Sequence, residues 1–115
     1  MREAIRAAGR PLSPQEILEA TRESIPGLGL ATVYRNVKAM VESHWLQTVE
    51  LPGSPDRYEI ADRGHHHHFH CRGCDRVFDV EGCPGNLGTM TPRGFELESH
   101  EIVLYGRCSA CSADP

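Results

Sequence analysis

The sequence predicts an α+β chain of two small domains, the first helical and closed by a strand hairpin, the second an α/β module stapled by cysteine thiolates. Three observations carry this expectation. Helix signals with recognisable caps run through residues 3–42. Short strand-like runs broken by Gly and Pro follow from residue 65 onward, and two Cys-x-x-C pairs, Cys71/Cys74 and Cys108/Cys111, bracket that second half. At 115 residues and 12.8 kDa the chain has room for one ordinary domain or for two marginal ones. The division expected is residues 1–60, a polar hinge at Ala61-Asp62-Arg63-Gly64, and residues 65–115.

Glu3 to Ala8 favours helix, and Gly9-Arg10-Pro11 stops it. Ser13-Pro14-Gln15-Glu16 then opens a second helix. Ser13 is a natural N-cap, Pro14 suits the first helical position, and Glu16 stands three residues on, where it closes a capping box. Ile17, Leu18 and Thr21 continue it towards Ser24, and Pro26-Gly27-Leu28-Gly29 breaks the chain. A third helix fits Ala31–Glu42, with Val33, Val37 and Met40/Val41 recurring on one face and Thr32, Arg35, Asn36 and Lys38 elsewhere. Trp45–Leu51 and Arg57–Ile60 read as strands around the turn cluster Pro52-Gly53-Ser54-Pro55-Asp56. This order is that of a winged helix-turn-helix, and equally of a small helical bundle with no nucleic-acid role.

In the second half, His65–Cys71, Arg76–Val80 and Phe95–Tyr105 read as strands. The stretch Cys83 to Pro92 is too rich in Gly and Pro for a long helix. So few apolar side chains cannot form a large core, and the module needs a staple or a partner subunit. The cysteines supply the staple. A two-residue spacer lets both thiolates of a turn face one ion, and two such turns complete the tetrahedral sulfur shell preferred by structural zinc, at Cys71, Cys74, Cys108 and Cys111. Such a closed site serves folding rather than catalysis. A redox dithiol would show one Cys-x-x-C at a helix start in a thioredoxin-like layout, and that layout is absent. Cys83, the odd cysteine, is expected as a small, partly buried apolar residue, with an extra ligand or a reactive thiol as alternatives.

Six of the seven histidines lie in this half, five of them in His65-His66-His67-His68-Phe69-His70. The run is embedded directly before a cysteine pair, unlike a terminal tag. On a strand, His66, His68 and His70 face one side and His65 and His67 the other, so one strand can serve two sites. Glu59, Asp79 and His100 are further candidate donors, and a mixed His and carboxylate set is harder and more exchangeable than four thiolates. A solvated polar strand without metal is the alternative. His44, alone after the third helix, is expected as a surface or packing residue.

No run of eighteen apolar residues is present and the start shows no secretory pattern, so a cytoplasmic chain with reduced thiols is expected. The formal net charge of −4 is uneven: residues 1–60 carry seven Lys/Arg against eight Asp/Glu, residues 61–115 five against eight. A total charge says little about one helix face, so DNA binding stays open. An enzyme is not expected, because no ligand set comes with an obvious general base.

The chain resembles the ferric uptake regulator (Fur) family of bacterial metal-responsive transcription factors, which includes zinc, manganese, nickel and peroxide regulators. Gly29-Leu30-Ala31-Thr32-Val33-Tyr34-Arg35-Asn36-Val37 is similar to its recognition-helix signature. His65–His68 with Phe69-His70-Cys71-Arg72-Gly73-Cys74 is similar to its metal strand and first zinc knuckle, and Ser99-His100-Glu101 through Cys108-Ser109-Ala110-Cys111 to its last strand and second knuckle. The resemblance implies a homodimer joined through the second domain, whose winged helices bind an inverted-repeat operator in double-stranded DNA when a regulatory metal is present. It implies structural zinc at the four paired cysteines, a regulatory site at Glu59, His66, His68 and Asp79, and a second site at His65, His67 and His100. Thr32, Tyr34, Arg35, Asn36 and Lys38 would face DNA, with Arg57 on the wing. Zinc is the favoured effector because the strand is so rich in histidine. Iron or peroxide sensing is the near alternative, and a zinc-storage or trafficking module without DNA binding the alternative of another class.

The chain also departs from the family pattern. Relatives start with a further helix and an Arg-rich segment. They often carry a ligand His just before the second helix, where this chain reads Arg10-Pro11-Leu12. Residues 82–92 replace a longer helix that in relatives can supply an acidic ligand, a place that Cys83 or Glu81 could take.

Overall fold

A computed structural model of the chain describes residues 1–61, 64–83, 85 and 87–112. The backbone divides into two units, Met1–Arg63 and Gly64–Pro115. Of the hinge expected at 61–64, Asp62 and Arg63 lie outside the described residues, as do Pro84 and Asn86 of the Gly/Pro-rich stretch.

In the first unit, α1 (Arg2–Ala8) closes at Gly9, whose φ of 62° is the left-handed conformation that a helix end requires and that glycine adopts without a Cβ penalty. In α2 (Pro14–Thr21), the Ser13 hydroxyl accepts from the Glu16 amide at 3.1 Å and the Glu16 carboxylate accepts from the Ser13 amide at 3.1 Å, the full capping box. α3 (Leu30–Glu42) buries Val33, Val37 and Met40 and leaves Tyr34, Arg35, Asn36 and Lys38 exposed. β1 (Leu46–Leu51) and β2 (Ser54–Ile60) form an antiparallel hairpin. β2 starts inside the expected turn cluster because Ser54 already pairs with Leu51. A bridge between Leu12 and Tyr58, with amide to carbonyl bonds of 2.9 and 2.8 Å, ties the entry of α2 to this wing. The elements close over Ile5, Leu12, Ile17, Leu18, Val33, Val37, Met40 and Leu46. Each such side chain contributes roughly 1.5–3 kcal/mol by leaving water. Trp45 packs against this core while the guanidinium carbons of Arg2 and Arg6 lie 4.9 and 5.4 Å from its ring centroid, holding α1 to the hairpin's base.

One expectation in this unit is overturned. Arg57, assigned to the wing's DNA face, is only 3 % exposed. Its guanidinium lies 3.4 Å from the Glu16 carboxylate, which also binds Arg10 at 2.6 Å, and it donates to the Ser54 hydroxyl at 3.3 Å. A guanidinium held inside the unit by an acid is not presented to phosphate. His44 is exposed at φ 64°, at the turn between α3 and β1.

The second unit is a three-stranded sheet in the order β4-β3-β5. β3 (His67–Cys71) pairs antiparallel with β4 (Val77–Val80) and parallel with β5 (Val103–Gly106). Parallel neighbours need a long crossover, and residues 81–102 provide it with one 3₁₀ turn, Leu87–Met90, as their only regular structure among the described residues. The strand expected at Phe95–Tyr105 is therefore confined to its end, where the Ile102 carbonyl accepts the first rung from the His68 amide at 3.2 Å. β3 likewise starts at His67 and not at His65, and β4 starts at Val77, one residue after the expected Arg76. A short helix, α4 (Ser109–Ser112), follows the last strand. No helix among the described residues is long and apolar enough to cross a membrane.

Glu16 joins a helix cap to two arginines, so Glu16→Ala is expected to cost about 2–4 kcal/mol, against about 1 kcal/mol for Ser13→Ala. Urea unfolding followed by the fluorescence of the single tryptophan, Trp45, measures both. Equal losses would show that the arginine pairs add nothing.

Candidate metal centres

The parallel register pairs Cys71 with Gly106, so both Cys-x-x-C turns leave the sheet at the same end. The sulfurs of Cys71, Cys74, Cys108 and Cys111 lie within 4.8 Å of one another, with Cys74 and Cys108 at 3.8 Å. Four sulfurs about 2.3 Å from one tetrahedral ion stand about 3.8 Å apart, so the spacing fits zinc. Gly73 makes the approach possible: a Cβ there would lie 2.8 Å from the Cys111 sulfur. The Cys71 sulfur accepts from the amides of Cys108, Gly73 and Cys74 at 3.3, 3.3 and 3.4 Å. Those amides, that of Cys108 foremost, pull its thiol down to about 6. The neighbouring thiols of Cys71 and Cys108 push Cys111 up to about 12. Four thiolates this close cannot all ionise alone, whereas a shared dication lets them.

β3 carries the second donor group. Its antiparallel register sets His68 opposite Asp79, and His66, two residues earlier, comes to the same carboxylate. The Nε2 atoms of His66 and His68 are 3.4 and 3.5 Å from Asp79 Oδ1, and the side chains of all three are largely buried. His66 Nδ1 donates to the Gly64 carbonyl at 2.9 Å. A carbonyl only accepts, so the ring proton sits on Nδ1, and Nε2, the nitrogen turned towards Asp79, carries the lone pair that a cation would take. Glu59, on β2 of the first unit, is buried and accepts from the Gln47 side-chain amide at 2.7 Å.

The odd histidines form a third group. Nε2 of His65 and Nε2 of His100 are 3.0 Å apart, and the rings of His65 and His67 pack edge to face at 4.6 Å. His67 is 3 % exposed, its Nδ1 accepts the Ile102 amide at 3.2 Å, and its Nε2 has no hydrogen-bond partner among the described residues. Burial and the surrounding imidazoles hold it below the usual histidine range. Cys83 joins this group, its sulfur 3.1 Å from His100 Nε2. It is exposed rather than partly buried, so the small-apolar expectation for it fails. The crossover brings residues 83 and 100 together over a distance no local pattern reports; the one sequence signal was that Cys83 stands outside the two Cys-x-x-C pairs. His70 is held outside these groups by Asp75 at 2.7 Å, and Glu81 is exposed and belongs to none of them.

On α3, Tyr34 is 53 % exposed and Arg35 donates to the Thr32 hydroxyl at 3.2 Å. Thr32, Tyr34, Arg35, Asn36 and Lys38 thus lie together on or beside the helix's outer surface, with Thr32 half-buried.

Comparison with known proteins agrees with this architecture. The profile of the Ferric uptake regulator family matches residues 3–105. The chain is 33% identical over 107 residues to the ferric uptake regulation protein of Bordetella parapertussis, covering 89% of this chain and 76% of that one. It is 28% identical over 117 aligned residues to ferric uptake regulation protein 2 of Mycolicibacterium fortuitum, covering 97% and 80%. The solved ferric uptake regulator of Helicobacter pylori shares the fold, with a TM-score of 0.71 at 24% identity over 96% of this chain and 75% of that one. The chain belongs to the ferric uptake regulator family. Its members are metal-responsive transcriptional regulators that bind DNA as dimers, not enzymes.

Replacing Cys108 by Ser is expected to remove about one equivalent of bound zinc per chain, read by elemental analysis of the purified protein. Full retention would exclude the four-cysteine site.

Proposed function

We propose that this chain is a metal-dependent repressor of metal-homeostasis genes, binding an inverted-repeat operator as a homodimer with zinc as its effector. The observation that carries the reading is the convergence of His66, His68 and Asp79, an exchangeable nitrogen and oxygen donor set, in the same unit as a closed four-sulfur site. One chain then holds a permanent metal and a sensed one. The family resemblance adds Glu59, at the end of β2, to the residues proposed for the regulatory metal. His65, His67 and His100 belong to a second site, and Cys71, Cys74, Cys108 and Cys111 to structural zinc.

Bound at the regulatory donors, a dication supplies the charge that lets carboxylates and neutral imidazoles share one point. The chain's own residues do the rest. The Gly64 carbonyl keeps His66 in the ligating tautomer, and Asp79 stands 3.4 and 3.5 Å from the two Nε2 atoms as the third donor. A tenfold shift towards the DNA-competent arrangement takes about 1.4 kcal/mol of differential affinity, little for a multidentate site. Arg35 and Lys38 supply phosphate contacts and Thr32, Tyr34 and Asn36 stand beside them for positioning and base readout, an arrangement whose affinity falls steeply with salt. Exposed apolar side chains of the second unit, Met90 at 78 % and Phe95 at 71 % among them, supply the surface for a second copy.

Iron(II) is the second reading. It is favoured by the carboxylates of Glu59 and Asp79, which suit a harder ion, and by the names of the relatives. Operator affinity titrated anaerobically against free zinc, iron(II) and manganese(II), on DNA from upstream of the chain's own gene, decides between them. Binding that persists in chelator would remove the metal dependence, and binding that never forms would remove the repressor reading and leave a metal store. In the same assay Arg35→Ala is expected to weaken binding at least about tenfold, roughly one lost phosphate or base contact, with zinc content unchanged. Unaltered affinity would move the DNA face elsewhere.

A further inference from the structure

We propose that Cys83 is a metal ligand, the thiolate donor of a sulfur-containing second site with His65, His67 and His100 that prefers zinc to manganese or iron(II). The proposal rests on the reading of those three histidines as a metal site and adds the donor that sets its selectivity.

Four observations support it. Cys83 Sγ and His65 Nε2 lie 3.1 and 3.0 Å from the same His100 nitrogen. Donors of one tetrahedral zinc stand about 3.4 Å apart for two nitrogens and about 3.5 Å for nitrogen and sulfur, so a small expansion admits the ion. His67 offers a ring nitrogen within 4.8 Å of the others, and its buried Nε2 has no hydrogen-bond partner among the described residues. Such an atom in a closed setting normally finds a partner. Finally, two imidazole nitrogens at 3.0 Å repel unless a proton or a metal lies between them.

The donors are not equivalent. With Nδ1 accepting the Ile102 amide, the neutral His67 ring keeps its proton on Nε2. Ligation there requires that proton to move to Nδ1, at the expense of the Ile102 contact, so His67 is the costliest of the four donors to engage. Binding also releases the Cys83 thiol proton to solvent. The resulting set, three imidazoles and one thiolate, is softer than the neighbouring His66, His68 and Asp79 group, which has no sulfur. Thiolates select zinc over manganese.

Cobalt(II) titration of the full chain carrying one zinc equivalent, held at Cys71, Cys74, Cys108 and Cys111, tests this, because a sulfur-to-cobalt charge-transfer band from newly added metal then comes from Cys83. The wild type is expected to take up cobalt with such a band, and Cys83→Ser to lose the band and to weaken metal binding at that site by about a hundredfold, since removing even an indirect partner of a ligand costs 10–100-fold. Cys83→Asp is expected to keep a site without the band and with a lower preference for zinc over manganese. If Cys83→Ser leaves the spectrum unchanged while His100→Ala still removes an equivalent of cobalt, Cys83 is not a ligand and the histidine site stands. If neither substitution alters uptake, the second site itself is absent and the proposal falls with it.

Discussion

Everything in the second unit depends on one closure: two Cys-x-x-C turns, separated by the whole crossover, must come to the same point. Ten of the twelve buried hydrophobic side chains among the described residues lie in the first unit, and the second has only Cys71 and Val77. Burying one valine yields roughly 1.5–3 kcal/mol, whereas structural zinc in small domains contributes an apparent 10–16 kcal/mol at neutral pH. With zinc at the four cysteines, as proposed, the metal term wins by a wide margin. It also explains why a parallel strand pair with a long, irregular crossover is tolerated: the entropy of closing residues 81–102 is offset at the knuckles rather than along the chain.

From that closure the other donor groups follow by strand geometry. Fixing Cys71 against Gly106 fixes the register of β3, and the period of two along β3 then sends His66 and His68 to Asp79 while His65 and His67 turn to His100. A slip of one residue would exchange the two sets. On the proposed reading the four-cysteine site is thus a precondition for both other donor groups, without sharing a ligand with either.

Much of this was legible in the sequence because it is local. The Ser13 to Glu16 capping box, the buried face of α3 and the division of the histidines each depend on spacing within a few residues, and spacing is what a sequence displays. The failures are all nonlocal. Arg57 looked like a wing cation because nothing near it in sequence announces Glu16 as its partner. Phe95–Tyr105 alternates like a strand, yet only the part that reaches β3 finds hydrogen-bond partners. Cys83 is brought to His100 by a Gly/Pro-rich crossover whose path no periodicity encodes.

The dependence of the second unit on four thiolates is the claim on which the remainder stands, and amide hydrogen exchange on the full chain before and after zinc removal tests it most directly. Stripping the metal under reducing conditions should abolish protection of β3 and β5 while the amides of α2 and α3 stay protected by the first unit's core. Protection of β3 and β5 that survives zinc removal would contradict the account, because the sheet would then be held by something other than the cysteines.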